Sequence, residues 1–129
     1  MKSFCLIPEG THNKNTSDYG KVYEVSHIKR LKEYDVFAGS IDSRIIFLSY
    51  NKGIVYSDDN VTPCASNIRY GILKSEKNCR FLAKSLLSLC IAYNVDTVFL
   101  LIDKLGPFEK LISIIRQEGI RVELPFLFR

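Results

Sequence analysis

Two continuous apolar runs do most to decide what this chain can fold into. Residues 44–49 (RIIFLS) and 96–102 (DTVFLLI) are rich in β-branched and aromatic side chains and do not alternate with polar ones. A strand with one face in water alternates; a strand covered on both faces does not, so each run reads as a strand buried on both sides. Between them, in residues 76–93, Cys79, Leu82, Ala83, Leu86, Leu89, Cys90 and Tyr93 recur at helical spacing and line one face, with Ser75 placed to cap the first turn. Strand, helix, strand with short connections is a right-handed βαβ unit with parallel strands.

The rest of the chain extends this unit. Residues 3–7 form a first strand, closed by Pro8 and Gly10, because proline cannot continue a ladder. A polar loop over residues 9–17 follows. Asp18 caps a helix to about Tyr34, carried by Val22, Val25, Ile28 and Leu31. Residues 54–56 either pair back as a hairpin across Asn51-Lys52-Gly53 or enter the irregular stretch 57–71. After the second apolar run, Gly106 and Pro107 open a helix to Glu118, Gly119 ends it as a left-handed cap, and residues 120–124 form a last strand. The alternation argues a single α/β domain over residues 1–129, a three-layer α/β/α sandwich with a mostly parallel sheet. The tail Pro125-Phe126-Leu127-Phe128-Arg129 either packs across that sheet or joins a subunit contact.

A chain of 129 residues buries enough surface to fold without metal or disulfide. The longest apolar region, residues 81–102, is broken by Lys84, Asn94 and Asp96 and is too polar for a membrane span. The first residues lack a signal-peptide core, so the expected location is cytoplasmic. Cys5, Cys64, Cys79 and Cys90 form no CxxC pair and there are only two histidines, which is poor material for zinc; buried free thiols are expected. No GxGxxG, GxxxxGK[ST] or GxSxG motif is present, so the signatures of dinucleotide folds, P-loop enzymes and α/β-hydrolases are missing and no cofactor is called for.

Ligands of open parallel sheets bind where strand carboxyl ends, loops and helix N-termini converge. Three loops fall there. The first carries Thr11, His12, Asn13 and Lys14, the second Ser49, Asn51, Lys52 and Gly53, and the third Asp103 and Lys104. If the chain is catalytic, Asp103 or His12 would transfer protons, the histidine because its intrinsic pKa lies near neutrality. Asp103 equally suits an ion pair with Lys104 or Lys52, and a histidine in a polar loop is equally consistent with plain solvation. A third reading is a thiol enzyme using Cys64.

The net charge of +4 is local. Residues 1–60 carry eight basic and eight acidic side chains, whereas Arg69, Lys74, Lys77, Arg80 and Lys84 face a single acid, Glu76. At about 100° per residue, Lys77, Arg80, Lys84 and Ser88 share a stripe opposite the apolar helix face. Cations near a helix N-terminus oppose its dipole, and a bound phosphate would resolve the mismatch. Phe81 and Ile91 border the stripe, and an aromatic among cations suits nucleic acid or a protein surface better than bare solvent. The plainer alternative is a solvated face, with Glu76 complementing the dipole.

Ile46-Phe47-Leu48-Ser49-Tyr50-Asn51-Lys52-Gly53-Ile54-Val55, followed by Asp58-Asp59-Asn60-Val61-Thr62-Pro63-Cys64, resembles a family of small phage and prokaryotic proteins. Its members carry a strand ending in leucine-serine-alanine-x-x-glycine-leucine and then an acidic turn leading to proline-tyrosine. Leu48, Ser49, Gly53 and Pro63 match; Ile54 and Cys64 replace leucine and tyrosine. The order of elements is also similar to the glycosylase-like domain of archaeosine synthases, which belong to tRNA 7-deazaguanine modification. Thr11, Asn13 and Lys14 echo that family's first loop, whose cysteine is absent here. The resemblance implies a Rossmann-like or glycosylase-like sheet and a role near nucleobases, tRNA or DNA, with Ser49 and Gly53 shaping a pocket floor.

The expectation is therefore a module of nucleic-acid modification or metabolism that binds a nucleobase, a nucleotide, RNA or DNA, through Thr11, Asn13, Lys14, Ser49, Asn51, Lys52 and Gly53, with phosphate held by the basic cluster. The alternative is a non-catalytic interaction protein, viral or cellular, that forms a homo-dimer or larger assembly through the helix of residues 76–93 and the apolar tail.

Overall fold

A computed structural model of the chain describes residues 2–8, 32–50, 53–55 and 71–127. The expected loop with Thr11, His12, Asn13 and Lys14, the helix start at Asp18, and Asn51, Lys52, Cys64, Arg69 and Phe128 lie outside these residues.

The first strand, β1 (Ser3–Pro8), is buried along its whole length. Helix α1 covers residues 32–40 and runs past Tyr34, where the apolar spacing was expected to end. Tyr34 and Ala38 are buried and Phe37 is half-buried, so one further turn with the right spacing continues the helix, while exposed Val36 hides that turn in the sequence. Asp42, at φ 51°, turns the chain into β2 (Arg44–Ser49). Gly53–Val55 forms β3, which pairs antiparallel with β2 through Ser49 and Gly53, Leu48 and Ile54, and Phe47 and Val55. Of the two readings left open for this segment, the hairpin is the one formed.

A helical turn over residues 71–74 precedes α2 (Glu76–Ala92). Ser75 caps it as expected, its Oγ accepting from the Asn78 N–H at 3.3 Å. The strand β4 (Thr97–Leu100) is followed by a 3₁₀ turn, Gly106–Phe108, with Pro107 in its first positions, and by α3 (Glu109–Gln117). Gly119, at φ 88°, reverses the chain into β5 (Arg121–Glu123). Both the 3₁₀ start and the shorter last strand trim the expected elements by one to three residues at each end.

The five strands form one mixed sheet in the order β3-β2-β1-β4-β5, parallel throughout except for β3. The chain moves outward from β1 to β2 and β3, returns across to β4 beside β1, and then continues to β5. Strand side chains alternate between two cores. Phe4, Leu6, Ile46, Leu48, Val98, Leu100 and Val122 pack with the buried faces of α2 and α3. Cys5, Ile7, Phe47 and Leu101 pack with Tyr34 and Ala38 of α1 and with Phe126. Connections of one hand that progress in opposite directions fall on opposite sides, which accounts for α1 lying across the sheet from α2 and α3. The tail takes the packing alternative: Phe126 is 1% exposed and stacks edge-on to Tyr34, with ring centroids 4.9 Å apart. No helix among the described residues is long and apolar enough to cross a membrane.

Candidate functional site

The strand order reverses at β1. Its neighbours β2 and β4 lie on opposite sides of it, and the carboxyl end of such a switch point is where ligands of open α/β sheets bind. Helix α2 runs back toward the start of β4, which places its N-terminus at this same end, and the 3₁₀ turn leading into α3 starts there too, after β4.

A cavity of about 540 Å³ opens between the helical turn 71–74 and the start of α3, lined by Leu73, Lys74, Gly106, Pro107, Glu109 and Lys110. The Lys110 ammonium donates to the Lys74 carbonyl at 2.8 Å, so the two lysines stand together although they are 36 residues apart. Lys74 belonged to the expected basic cluster. Lys110 did not, because only the packing of α2 on α3 brings it there, and the sequence shows it as one more polar residue on an amphipathic helix.

The remaining members of the cluster are arranged otherwise. Lys77, Arg80, Lys84 and Ser88 are all exposed on the outer face of α2. Arg80 is spent on Glu76 at 3.0 Å, one turn away, whereas Lys77 and Lys84 make no ion pair among the described residues. Phe81 stands between them, 58% exposed, and Ile91, 71% exposed, continues the face. The expected pairing of Asp103 with Lys104 is not formed; both are exposed in the loop after β4, outside the cavity lining.

Ser49 and Gly53 lie where the hairpin meets α2. Ser49 is fully buried and paired with Gly53 across the hairpin. A Cβ on Gly53 would lie 3.3 Å from Ser85 Oγ and 3.4 Å from Phe81 Cε1, so the space left by the missing side chain is filled by α2. The Ser85 hydroxyl also accepts from the Ile54 N–H at 3.4 Å. The matched serine and glycine thus seat the hairpin on the helix.

The three described cysteines are buried free thiols, as expected. Burial pushes all three above the ordinary thiol range. Cys5 is pulled partly back by Ser43, which accepts from its thiol, and Cys79 by the charge of Lys110; Cys90 is pushed up to about 11, with the Asp96 carboxylate adding to the effect of burial. A native-state thiol here is not a nucleophile at neutral pH. In a Cys64→Ser chain we therefore expect alkylation at pH 8 to run on the order of a hundredfold slower than after denaturation, and equal rates would contradict the burial. Because folding raises these pKa values, the stability they contribute is complete below the ordinary thiol range and is lost as pH climbs through it toward about 11. Among the described residues no three His, Cys, Asp or Glu side chains group as metal ligands.

Set against protein-family models, curated proteins and solved structures, the chain matches none. What it does rests on its own residues.

Proposed function

We propose that the chain is a three-layer, Rossmann-like α/β domain that binds a nucleobase, nucleotide or nucleic acid at the carboxyl end of its sheet, as an accessory module of nucleic-acid modification or metabolism. One observation carries this reading: the strand order reverses at β1, and at the same end two lysines from different helices flank a cavity of nucleotide size. The cavity lies at the helical start that leads into α3, and Lys74 and Lys110 outweigh the one carboxylate of its lining, Glu109, so an anion is the favoured occupant. Lys104 and the exposed Lys77 and Lys84 of α2 extend the positive field outward. The resemblance in residues 46–64 makes tRNA the first nucleic acid to try.

Asp103 remains the proton acceptor proposed for a catalytic role, exposed in the loop after β4. The assembly alternative keeps its helix but loses part of its tail, since Phe126 is consumed in the core.

The test is titration of a fluorescent nucleoside triphosphate into the wild type and a Lys74→Ala/Lys110→Ala variant. Charged contacts of this kind contribute about 1.5–3 kcal/mol, so binding should weaken by about tenfold or more. The affinity should also fall with rising salt in the wild type, because ions screen the attraction between the lysines and the triphosphate, and less so in the variant. Absence of nucleotide binding in the wild type, or equal binding by the variant, would remove the cavity from the proposal.

A further inference from the structure

We infer that the outer face of α2 is a track for single-stranded nucleic acid, on which Phe81 stacks an unpaired base while Lys77 and Lys84 hold the phosphates on either side. This rests on the nucleic-acid reading above and adds its substrate form and a second contact surface.

The starting point is an aromatic ring in an unusual setting. Phe81 sits on the solvent side of a helix whose opposite side, Cys79, Leu82, Ala83, Leu86 and Cys90, already supplies the core. Burial in the core therefore does not explain it, and it leaves more than half its surface in water. Nor does it hang free. Its Cε1 edge faces Gly53, 3.4 Å from where a Cβ would lie, and the hairpin that carries Gly53 is itself fixed to the helix by Ser85. The ring is thus held along one edge and open beyond it, which lowers the entropy lost when a flat partner settles on it.

Charge then selects the partner. Lys77 lies one turn before Phe81 and Lys84 one turn after, about 10 Å apart along the axis. The one carboxylate of the neighbouring turn, Glu76, pairs with Arg80, so among the described residues the face presents two cations without an ion pair around a ring. A neutral apolar partner would have to strip water from both ammonium groups without return. A strand of nucleic acid offers a π-face for the ring and phosphates for the lysines in one chain. A duplex keeps its base faces stacked inside, so only an unpaired base fits, and exposed Ile91 with Ser88 continues the track for a neighbouring one.

The chain contains no tryptophan, so Phe81→Trp creates a single fluorescent reporter at the proposed stacking position. We expect its emission to be quenched by oligo-uridine or oligo-thymidine and unaffected by inorganic polyphosphate, which has the charge without the bases. Phe81→Ala should weaken single-strand binding by about tenfold, with duplex binding unchanged. Lys77→Ala/Lys84→Ala should reduce the slope of log affinity against log salt by about 1.4, two phosphates at about 0.7 each. Circular dichroism serves as the control for folding, and the exposed positions make all three variants well tolerated.

Single-strand binding that survives Phe81→Ala, or quenching by polyphosphate, overturns the track while leaving nucleotide binding at the Lys74/Lys110 cavity standing. Loss of both kinds of binding overturns the proposed function itself. A concentration-dependent dimer abolished by Phe81→Ala, with no nucleic-acid binding, assigns this face to a second copy of the chain instead.

Discussion

Replacing Phe126 with alanine is expected to cost about 3–5 kcal/mol, the usual range for emptying a buried phenylalanine site, out of a total that for domains of this size is about 5–15 kcal/mol. The ring is 1% exposed and has two aromatic neighbours on α1, Tyr34 at 4.9 Å and Phe37 at 5.6 Å, with Phe37 in turn against Phe99 of the sheet at 5.3 Å. Among the described residues, Cys5, Ile7, Tyr34, Ala38, Phe47 and Leu101 are buried with it in that cluster. Deleting one large ring from among them leaves a cavity that close-packed neighbours fill only in part. Urea unfolding should show the loss in the midpoint. Amide exchange should show residues 32–40 losing protection at denaturant concentrations where residues 76–92 keep theirs. A change under about 1 kcal/mol would mean that Phe126 lies on the surface and that the tail is free for assembly. Truncating the chain at residue 126 therefore tests folding before it tests any subunit contact.

The elements that could be read in advance are those whose cause is local. Residues 44–49 and 96–102 declare themselves as doubly covered strands because neither has a polar face, and Ser75, Gly119 and Pro107 mark helix ends through their own backbone chemistry. The last turn of α1, past Tyr34, is hidden in the sequence because it mixes half-buried Phe37 and buried Ala38 with exposed Val36 and Gly39, and the two apolar residues acquire meaning only once Phe126 arrives, 88 residues beyond Ala38. The hairpin stayed open for a related reason. Three residues of strand carry little propensity, and the deciding contact, Ser85 beneath Ile54, comes from the next helix.

The candidate site divides in the same way. The stripe of Lys77, Arg80 and Lys84 follows from 100° per residue and needed no structure. Lys110 could not be read, since its partnership with Lys74 depends on how two helices meet. Phe81 was visible as an aromatic beside cations, but what steadies it was not: the motif residue Gly53, read from the resemblance as a pocket floor, turns out to face the ring.

That last point has a test of its own. Gly53 sits at φ 95°, beyond the small left-handed region that L-residues visit, so any side chain there is strained whatever its size. Gly53→Ala should cost about 1–3 kcal/mol from the backbone alone. Gly53→Val should approach the upper end or pass it, because a branched Cβ must also displace Ser85 Oγ and the Phe81 edge, both within 3.4 Å of where its first carbon would lie. The functional consequence differs between the two roles open to this glycine. If its backbone approached a ligand, nucleotide binding at the sheet end would fall with the alanine substitution. If it seats the hairpin under α2, the Lys74/Lys110 cavity is undisturbed, nucleotide affinity measured well below the unfolding midpoint stays within about twofold, and single-strand affinity drops as the ring of Phe81 is pushed off its support. Urea denaturation, nucleotide titration and oligonucleotide titration on the same two variants separate these outcomes. A stable Gly53→Val protein with unchanged single-strand binding would show that the close approach of hairpin and helix carries neither stability nor recognition.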